Sequence, residues 1–290
     1  MPWPSLPGAN DALARALPDT TPPSSATPEA RLRWADLRVR IVSASVLAPL
    51  ALGCAWLGGA AWAVLICVAG AGVAAEWVVL CAGRVWSGAG LGVVLPVLAA
   101  YVATALGVLV AGVASLIAGA ILTRRLMLGA GVLYAGVSGM ALIWLRADPA
   151  AGRLNVLFLI VAVVSSDVGA YAIGRLVGGP RLAPLISPGK TWSGALGGLA
   201  FAALAGAMVA EWTGAGRSVA AASVAVLLAA VAQGGDLFES WLKRRSGVKD
   251  SGWLIPGHGG IMDRLDGFLA AGPAAALIAA CVGRGTLLWY

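Results

Sequence analysis

The sequence predicts an all-α polytopic membrane protein with about nine transmembrane helices and an active site at the cytosolic face. Three observations carry this expectation. Of the 290 residues, 60% are hydrophobic and only 11% are charged, a balance too apolar for a soluble domain. Nine apolar runs of 17 to 22 residues follow one another, each long enough to cross the hydrocarbon core as a helix. The remaining charges fall in short clusters between these runs, so the net charge of +7 reads as membrane orientation and not as a nucleic-acid footprint.

Residues 1–28 mix Pro, Ser, Thr, Ala and Asp without apolar periodicity, which predicts a disordered tail, and they lack the charged start and apolar core of a signal peptide. Residues 29–40 place Arg31, Arg33, Arg38 and Arg40 around Trp34 and Leu37. This basic segment suits an interfacial helix on anionic headgroups and equally an orientation signal for the first span. The apolar runs fall at 41–59, 61–82, 88–104, 106–122, 127–145, 154–174, 194–210, 217–235 and 267–283. They divide into N-terminal transmembrane helices (41–153) and a C-terminal catalytic region (154–290). The charge-free stretch 88–122 is split at Leu106 and Gly107. With the N-terminus inside, nine spans put 16 of the 20 Lys and Arg residues in cytosolic segments and leave Arg146, Arg153, Arg217 and Arg284 outside. Eight spans would invert everything after the split and break the positive-inside rule.

Cys54, Cys67, Cys81 and Cys281 all lie in apolar runs and form no CxxC pair, so they read as small hydrophobes. A single histidine, His258, excludes multi-histidine metal chemistry.

Carboxylates inside spans are costly and need a reason. Glu76 lies toward the end of the second span, as a satisfied helix-end carboxylate or part of a Glu-aromatic pair. Asp167 lies within the sixth, roughly 10 Å from its end by helical rise, with Tyr171, Gly174 and Arg175 on the same face, and reads as a functional residue or as a structural ion pair with Arg175. The loop 175–193, RLVGGPRLAPLISPGKTWS, forms a polar island. Its Gly-Lys-Thr is not a phosphate-binding P-loop, because the first glycine of that pattern would fall at Pro184 and no strand precedes it. Gly194, Gly197 and Gly198 give the small-residue spacing of close helix packing.

The densest chemistry lies at 236–267. Asp236, Glu239, Asp250, Asp263 and Asp266 share 31 residues with Lys243, Arg244, Arg245, Lys249, Arg264 and His258. Asp236, Glu239, Ser240 and Lys243 recur at helical spacing, so they share a face if the preceding helix continues. Asp263 and Asp266 repeat that spacing at the start of the last run, and the intervening GHGG supplies backbone able to adopt positive φ and approach a ligand closely. Carboxylates at two helix mouths with cations between them are what a magnesium-bridged phosphate site requires.

Ser240, Leu242, Lys243, Arg244, Lys249, Asp250, Gly252, Pro256, His258, Gly259, Gly260, Asp263, Arg264 and Asp266 together resemble the C-terminal signature of the phosphatidate cytidylyltransferase family. Asp167, Tyr171, Gly174, Arg175, Ser187, Pro188, Lys190, Thr191, Trp192 and Gly194 resemble its upstream block, with Gly189 standing where the family usually has lysine and Ser193 where it often has glutamate. The resemblance implies a multi-pass enzyme of the inner (cytoplasmic) membrane, a homodimer, that condenses CTP with phosphatidic acid and releases pyrophosphate. It implies Mg²⁺, as one ion or two, with a monovalent cation as a further candidate. Asp236 and Asp263 are then the expected primary metal ligands, with Asp250 and Asp266 as further ligands or their hydrogen-bonding neighbours. Lys243, Arg244, Lys249, Arg264, Lys190 and Arg175 are expected on phosphates, and His258 as a turn-anchored donor to phosphate, with a general acid or a structural role as its alternatives. Ser240, Ser187, Asp167, Tyr171, Gly259 and Gly260 complete the expected substrate side. Two other readings stand beside this one: a cytidylyltransferase for another lipid phosphate, and a membrane lipid transporter, which predicts midplane charges and symmetric halves.

Overall fold

The computed structural model describes residues 28–82, 126–248, 250–252 and 259–290. The predicted tail except Pro28, the predicted spans 88–104 and 106–122, and Lys249 and His258 lie outside the described residues. Seven helices and one hairpin make up the described chain: α1 (Pro28–Leu57), α2 (Gly59–Ala82), α3 (Leu126–Arg146), α4 (Gly152–Val177), β1 (Arg181–Ala183), β2 (Ser187–Thr191), α5 (Trp192–Trp212), α6 (Ser218–Arg245) and α7 (Met262–Val282). Among them, segments of α2, α4, α5, α6 and α7 are long and apolar enough to cross a membrane, and the apolar end of α1, Ser45–Leu57, is shorter. The architecture is all-α and multi-pass, with one small hairpin.

Three boundaries differ from expectation, each for a physical reason. The basic stretch 29–40 is continuous with the first apolar run in α1. Helix α6 runs ten residues beyond the predicted apolar limit, to Arg245, because LFESWLKRR contains no glycine or proline to stop it. Helix α7 begins at Met262, five residues before the predicted apolar run, so Asp263 and Asp266 sit in its first two turns. The polar island is also not a plain loop. After α4 ends on Gly178 and Gly179, both at positive φ, β1 and β2 pair antiparallel with Arg181 opposite Thr191 and Ala183 opposite Ser187. The Thr191 side chain then caps α5 by accepting from Gly194 N at 3.1 Å.

Packing runs α4 on α5, α5 on α6 and α6 on α7, with α2 and α3 against each other and α3 against α7. Glycines set the α4–α5 distance, as the small-residue spacing anticipates: a methyl at Gly197 would lie 2.5 Å from Ile173 Cβ and one at Gly198 2.7 Å from Ser166 O. One core cluster gathers Phe158, Leu159, Leu228 and Trp289. A second, smaller one gathers Val73, Trp77, Leu242 and Met262 beside the polar residues of α6 and α7.

The residues after α7 form a strap at the opposite end of the bundle. Asn155 donates to Thr286 O at 3.1 Å and accepts from Leu288 N at 3.0 Å. Trp289 is buried against Phe158, ring centroids 4.5 Å apart.

Candidate active site

The ends of α4, α6 and the hairpin enclose a cavity of about 430 Å³ whose walls carry Asp167, Tyr171, Arg175, Lys190, Gln233 and Asp236. Because α4 and α6 run the same way, their C-terminal residues share a depth. Arg175 and Lys190 lie at the hairpin end, Tyr171 and Asp236 about one turn below, and Asp167 and Gln233 deeper still. Lys190 forms an ion pair with Asp236. Arg175 donates to the Tyr171 hydroxyl at 3.3 Å, so its recorded partner is the phenol and not Asp167. Ser240 donates to Asp236 Oδ1 at 3.4 Å.

A second polar cluster adjoins this cavity on the α7 side. Lys243 Nζ lies 2.6 Å from Asp263 Oδ1 and 3.3 Å from Glu239 Oε1. Asp263 also accepts from Ser251 N at 3.1 Å and Gly260 N at 3.0 Å. Glu239 is wholly buried, with the Lys243 ammonium as its charge partner. Asp266 links the two clusters, being within electrostatic reach of Asp236 and Asp167 on one side and Glu239 on the other. The buried Tyr134 hydroxyl, without a hydrogen-bond partner among the described residues, lies within electrostatic reach of Glu239, Asp266 and Asp236. Its ring packs between Trp77 and Phe238, with centroids 5.5 and 5.4 Å away.

Glu76 supplies the foundation. It is 3% exposed and accepts from Ser251 Oγ at 2.9 Å, Ile261 N at 2.9 Å and Met262 N at 2.8 Å. A carboxylate from α2 thus satisfies orphan amides at the N-terminus of α7 and complements its dipole. Gly259 and Gly260 serve this arrangement. Gly259 is at φ +80 and Gly260 is pressed so closely on Glu76 that an added Cβ would meet Glu76 Oε2 at 2.5 Å. The close approach expected toward a ligand is made here to the protein's own carboxylates.

The expected site residues therefore divide. Asp167, Tyr171, Arg175, Lys190 and Asp236 share the cavity, with Asp266 within electrostatic reach; Lys243, Asp263 and Gly260 belong to the cluster under it, where Gly259 flanks Asp263. Arg244 lies outside both clusters, donating to Ile186 O at the hairpin turn at 3.3 Å. Ser187 pairs in the hairpin. Asp250 is exposed and lines a different hollow with Val79, Ser246 and Ser251, and Arg264 is exposed beside an apolar cavity between α1, α2, α3, α4 and α7. Among the described residues no group of three or more His, Cys, Asp or Glu converges closely enough to hold a metal as it stands.

The sequence profile of the cytidylyltransferase family matches residues 38–282. The chain belongs to the cytidylyltransferase family. It is 41% identical over 244 residues to a phosphatidate cytidylyltransferase of Brucella suis biovar 1 (strain 1330), covering 81% of this chain and 90% of the relative. It is 40% identical over 261 residues to that of Brucella abortus biovar 1 (strain 9-941), covering 87% and 97%. A Helicobacter pylori (strain ATCC 700392 / 26695) phosphatidate cytidylyltransferase is 44% identical over 137 residues, 47% of this chain and 50% of that one. These matches do not favour the transporter reading.

In this cytidylyltransferase, sequence reasoning passed over Gln233, Tyr134 and Ser251 and saw only half of the role of Glu76. For Gln233 a signal existed: it is the chain's only glutamine, inside an apolar helix one turn before Asp236. For Tyr134 and Ser251 there was none, because their importance comes from partners on other elements, such as Glu76 for Ser251 and Phe238 for Tyr134.

Proposed function

We propose that this chain transfers the cytidylyl group of CTP to phosphatidic acid, giving CDP-diacylglycerol and pyrophosphate. The observation that carries this reading is the shared cavity: two carboxylates, Asp167 and Asp236, and two cations, Arg175 and Lys190, meet at the ends of two apolar helices in a chain of this family. That placement suits an acceptor whose tails stay in the bilayer and a nucleotide that arrives from water. A phosphate oxygen of phosphatidic acid attacks the α-phosphorus of CTP, the bond from that phosphorus to the bridging oxygen breaks, and pyrophosphate leaves. The acceptor phosphate is already ionised near neutral pH, so the chain needs no strong general base. Its task is positioning and charge stabilisation. Arg175 and Lys190 hold phosphate oxygens at the mouth, while Lys243, Asp263 and Glu76 fix α7 against α6 so that Asp266 stays beside Asp236.

The residues fit magnesium in their chemistry. Asp236 and Asp266 are hard oxygen donors within electrostatic reach of each other, and Lys190 is the cation paired with Asp236. Asp236 and Asp266 would hold the ion, above the floor lined by Asp167; the oxygens of Asp263 are already engaged by Lys243, Ser251 and Gly260. Bound there, Mg²⁺ would neutralise charge on the transferring phosphoryl group and the pyrophosphate.

We place the protein in the inner (cytoplasmic) membrane with nine spans and the site facing the cytosol, which the distribution of Lys and Arg supports. A homodimer is expected from the family resemblance.

The test is pyrophosphate release by purified protein in detergent with CTP, phosphatidic acid and Mg²⁺. Release should need all three, stop with a chelator, and fall by about 100-fold or more in a folded Asp263→Asn variant, since misplacement of about an ångström costs that much. Folded wild type that releases none across lipid and metal conditions would overturn the reading.

A further inference from the structure

We propose that Gln233 selects the nucleotide base, its side-chain carbonyl accepting a hydrogen bond from the exocyclic amine of cytosine and so favouring CTP over UTP. This rests on the reaction proposed above and adds a residue that determines its specificity.

The amide is held in one orientation by two other helices. Gln233 Nε2 lies 3.1 Å from Ala195 O on α5 and 3.1 Å from Ser166 Oγ on α4. A carbonyl oxygen only accepts, so the atom facing Ala195 must be the NH₂ group, and the amide assignment follows from that contact. Gly198 keeps the space for it: an added Cβ there would come within 2.7 Å of Gln233 Nε2 and 3.0 Å of Ser166 Oγ. With both amide protons committed, Oε1 remains as an acceptor. Among the described residues only the Nε2 end of the amide is hydrogen-bonded, and the residue lines the cavity. Fixing a neutral amide inside a bilayer-spanning bundle is costly compared with an apolar side chain, and direction is what the fixation confers.

The order of charges along the cavity says what meets it. Arg175 and Lys190 stand at the mouth, where phosphates are expected. Gln233 and Asp167 line the floor; the amide carbonyl and the carboxylate are both acceptors, and a phosphate pushed there would be repelled. The floor therefore suits a hydrogen-bond donor without charge. Cytosine presents two protons on its amine at that edge, whereas uracil presents a carbonyl oxygen, and carboxylate or amide oxygens are the natural partners of the cytosine amine. A site built to accept such protons rejects the analogue that lacks them more strongly than an apolar pocket rejects a change of size.

The experiment measures kcat/KM for CTP and for UTP by pyrophosphate release, with Mg²⁺ titrated in parallel, in wild type and Gln233→Leu. We expect the preference for CTP to shrink about 10- to 100-fold while the Mg²⁺ concentration for half-maximal rate stays the same. Equal losses for both nucleotides, or a shifted Mg²⁺ requirement with unchanged preference, would instead make Gln233 a metal or phosphate contact and overturn the proposal. Ser166→Ala, which releases one anchor of the amide, gives a second variant should Gln233→Leu fail to fold; an unchanged preference there counts against the proposal. Calorimetric binding of CTP and UTP without lipid separates the two readings. A preference for CTP abolished by Gln233→Leu upholds base selection even if phosphatidic acid proves not to be the acceptor, and wild type that binds both nucleotides equally sinks it.

Discussion

Glu76 shows how much one side chain can organise. It collects three donors from residues 175 to 186 positions away, and no spacing in the sequence announces such a convergence. Glu76→Ala leaves these donors unsatisfied at roughly 1–3 kcal/mol each, so thermal unfolding in detergent should show a destabilisation of several kcal/mol. Glu76→Gln keeps one acceptor and the shape, and should lose less stability but still slow turnover by on the order of 10- to 100-fold as α7 shifts. Equal activity in Glu76→Gln and wild type would show that α7 is held without it. At the other end of the bundle Asp148 accepts from the amides of Ala151, Gly285 and Ala150, with Arg284 nearby, and these hold its carboxyl below the usual range. Its contribution to stability is therefore complete above the unfolded value of about 3.9 and is lost as pH falls through the lower folded value. Wild type should lose thermal stability below about pH 4 more steeply than Asp148→Asn, as melting curves across that window would reveal.

Among the elements, α6 carries the most chemistry. Gln233, Asp236, Glu239, Ser240 and Lys243 follow one another down about three turns, and the shared face of the last four was legible from spacing because helical periodicity is local physics. The helix boundary was not legible: apolar content stops near Gly235, but helix propensity and packing against α7 carry the helix to Arg245. The hairpin was also hidden, since strands as short as three and five residues leave no period to read. Helix α5 contributes through what it lacks. Gly198→Val would force a side chain onto Ser166 O and the Gln233 amide, overpacking worth about 1–3 kcal/mol, and should disturb the cavity floor more than the fold. The expected result is a modest fall in melting temperature and a far larger fall in pyrophosphate release. A variant with wild-type activity would show that α4 and α5 separate at no cost to the site.

At the scale of the whole molecule, the bundle is held by two clamps at opposite ends. Glu76 joins α2 to α7 beside the cavity, and the strap after α7 is tied back to α4 through Asn155 and the Trp289–Phe158 stack. Trp289→Ala should cost about 3–5 kcal/mol and lower the melting temperature while leaving KM for CTP unchanged, because the strap lies at the far end of the bundle; a changed KM would mean that the two ends communicate. The sequence by itself determined the membrane class, the family resemblance and the residue types of the site, since hydropathy, helical spacing and local motifs depend only on near neighbours in the chain. Only the tertiary structure decided which charges share a cavity, which are consumed in holding helices together, and that a lone glutamine stands among them. Those outcomes depend on how separate helices pack, and burial makes each buried charge or amide find a partner wherever the fold supplies one.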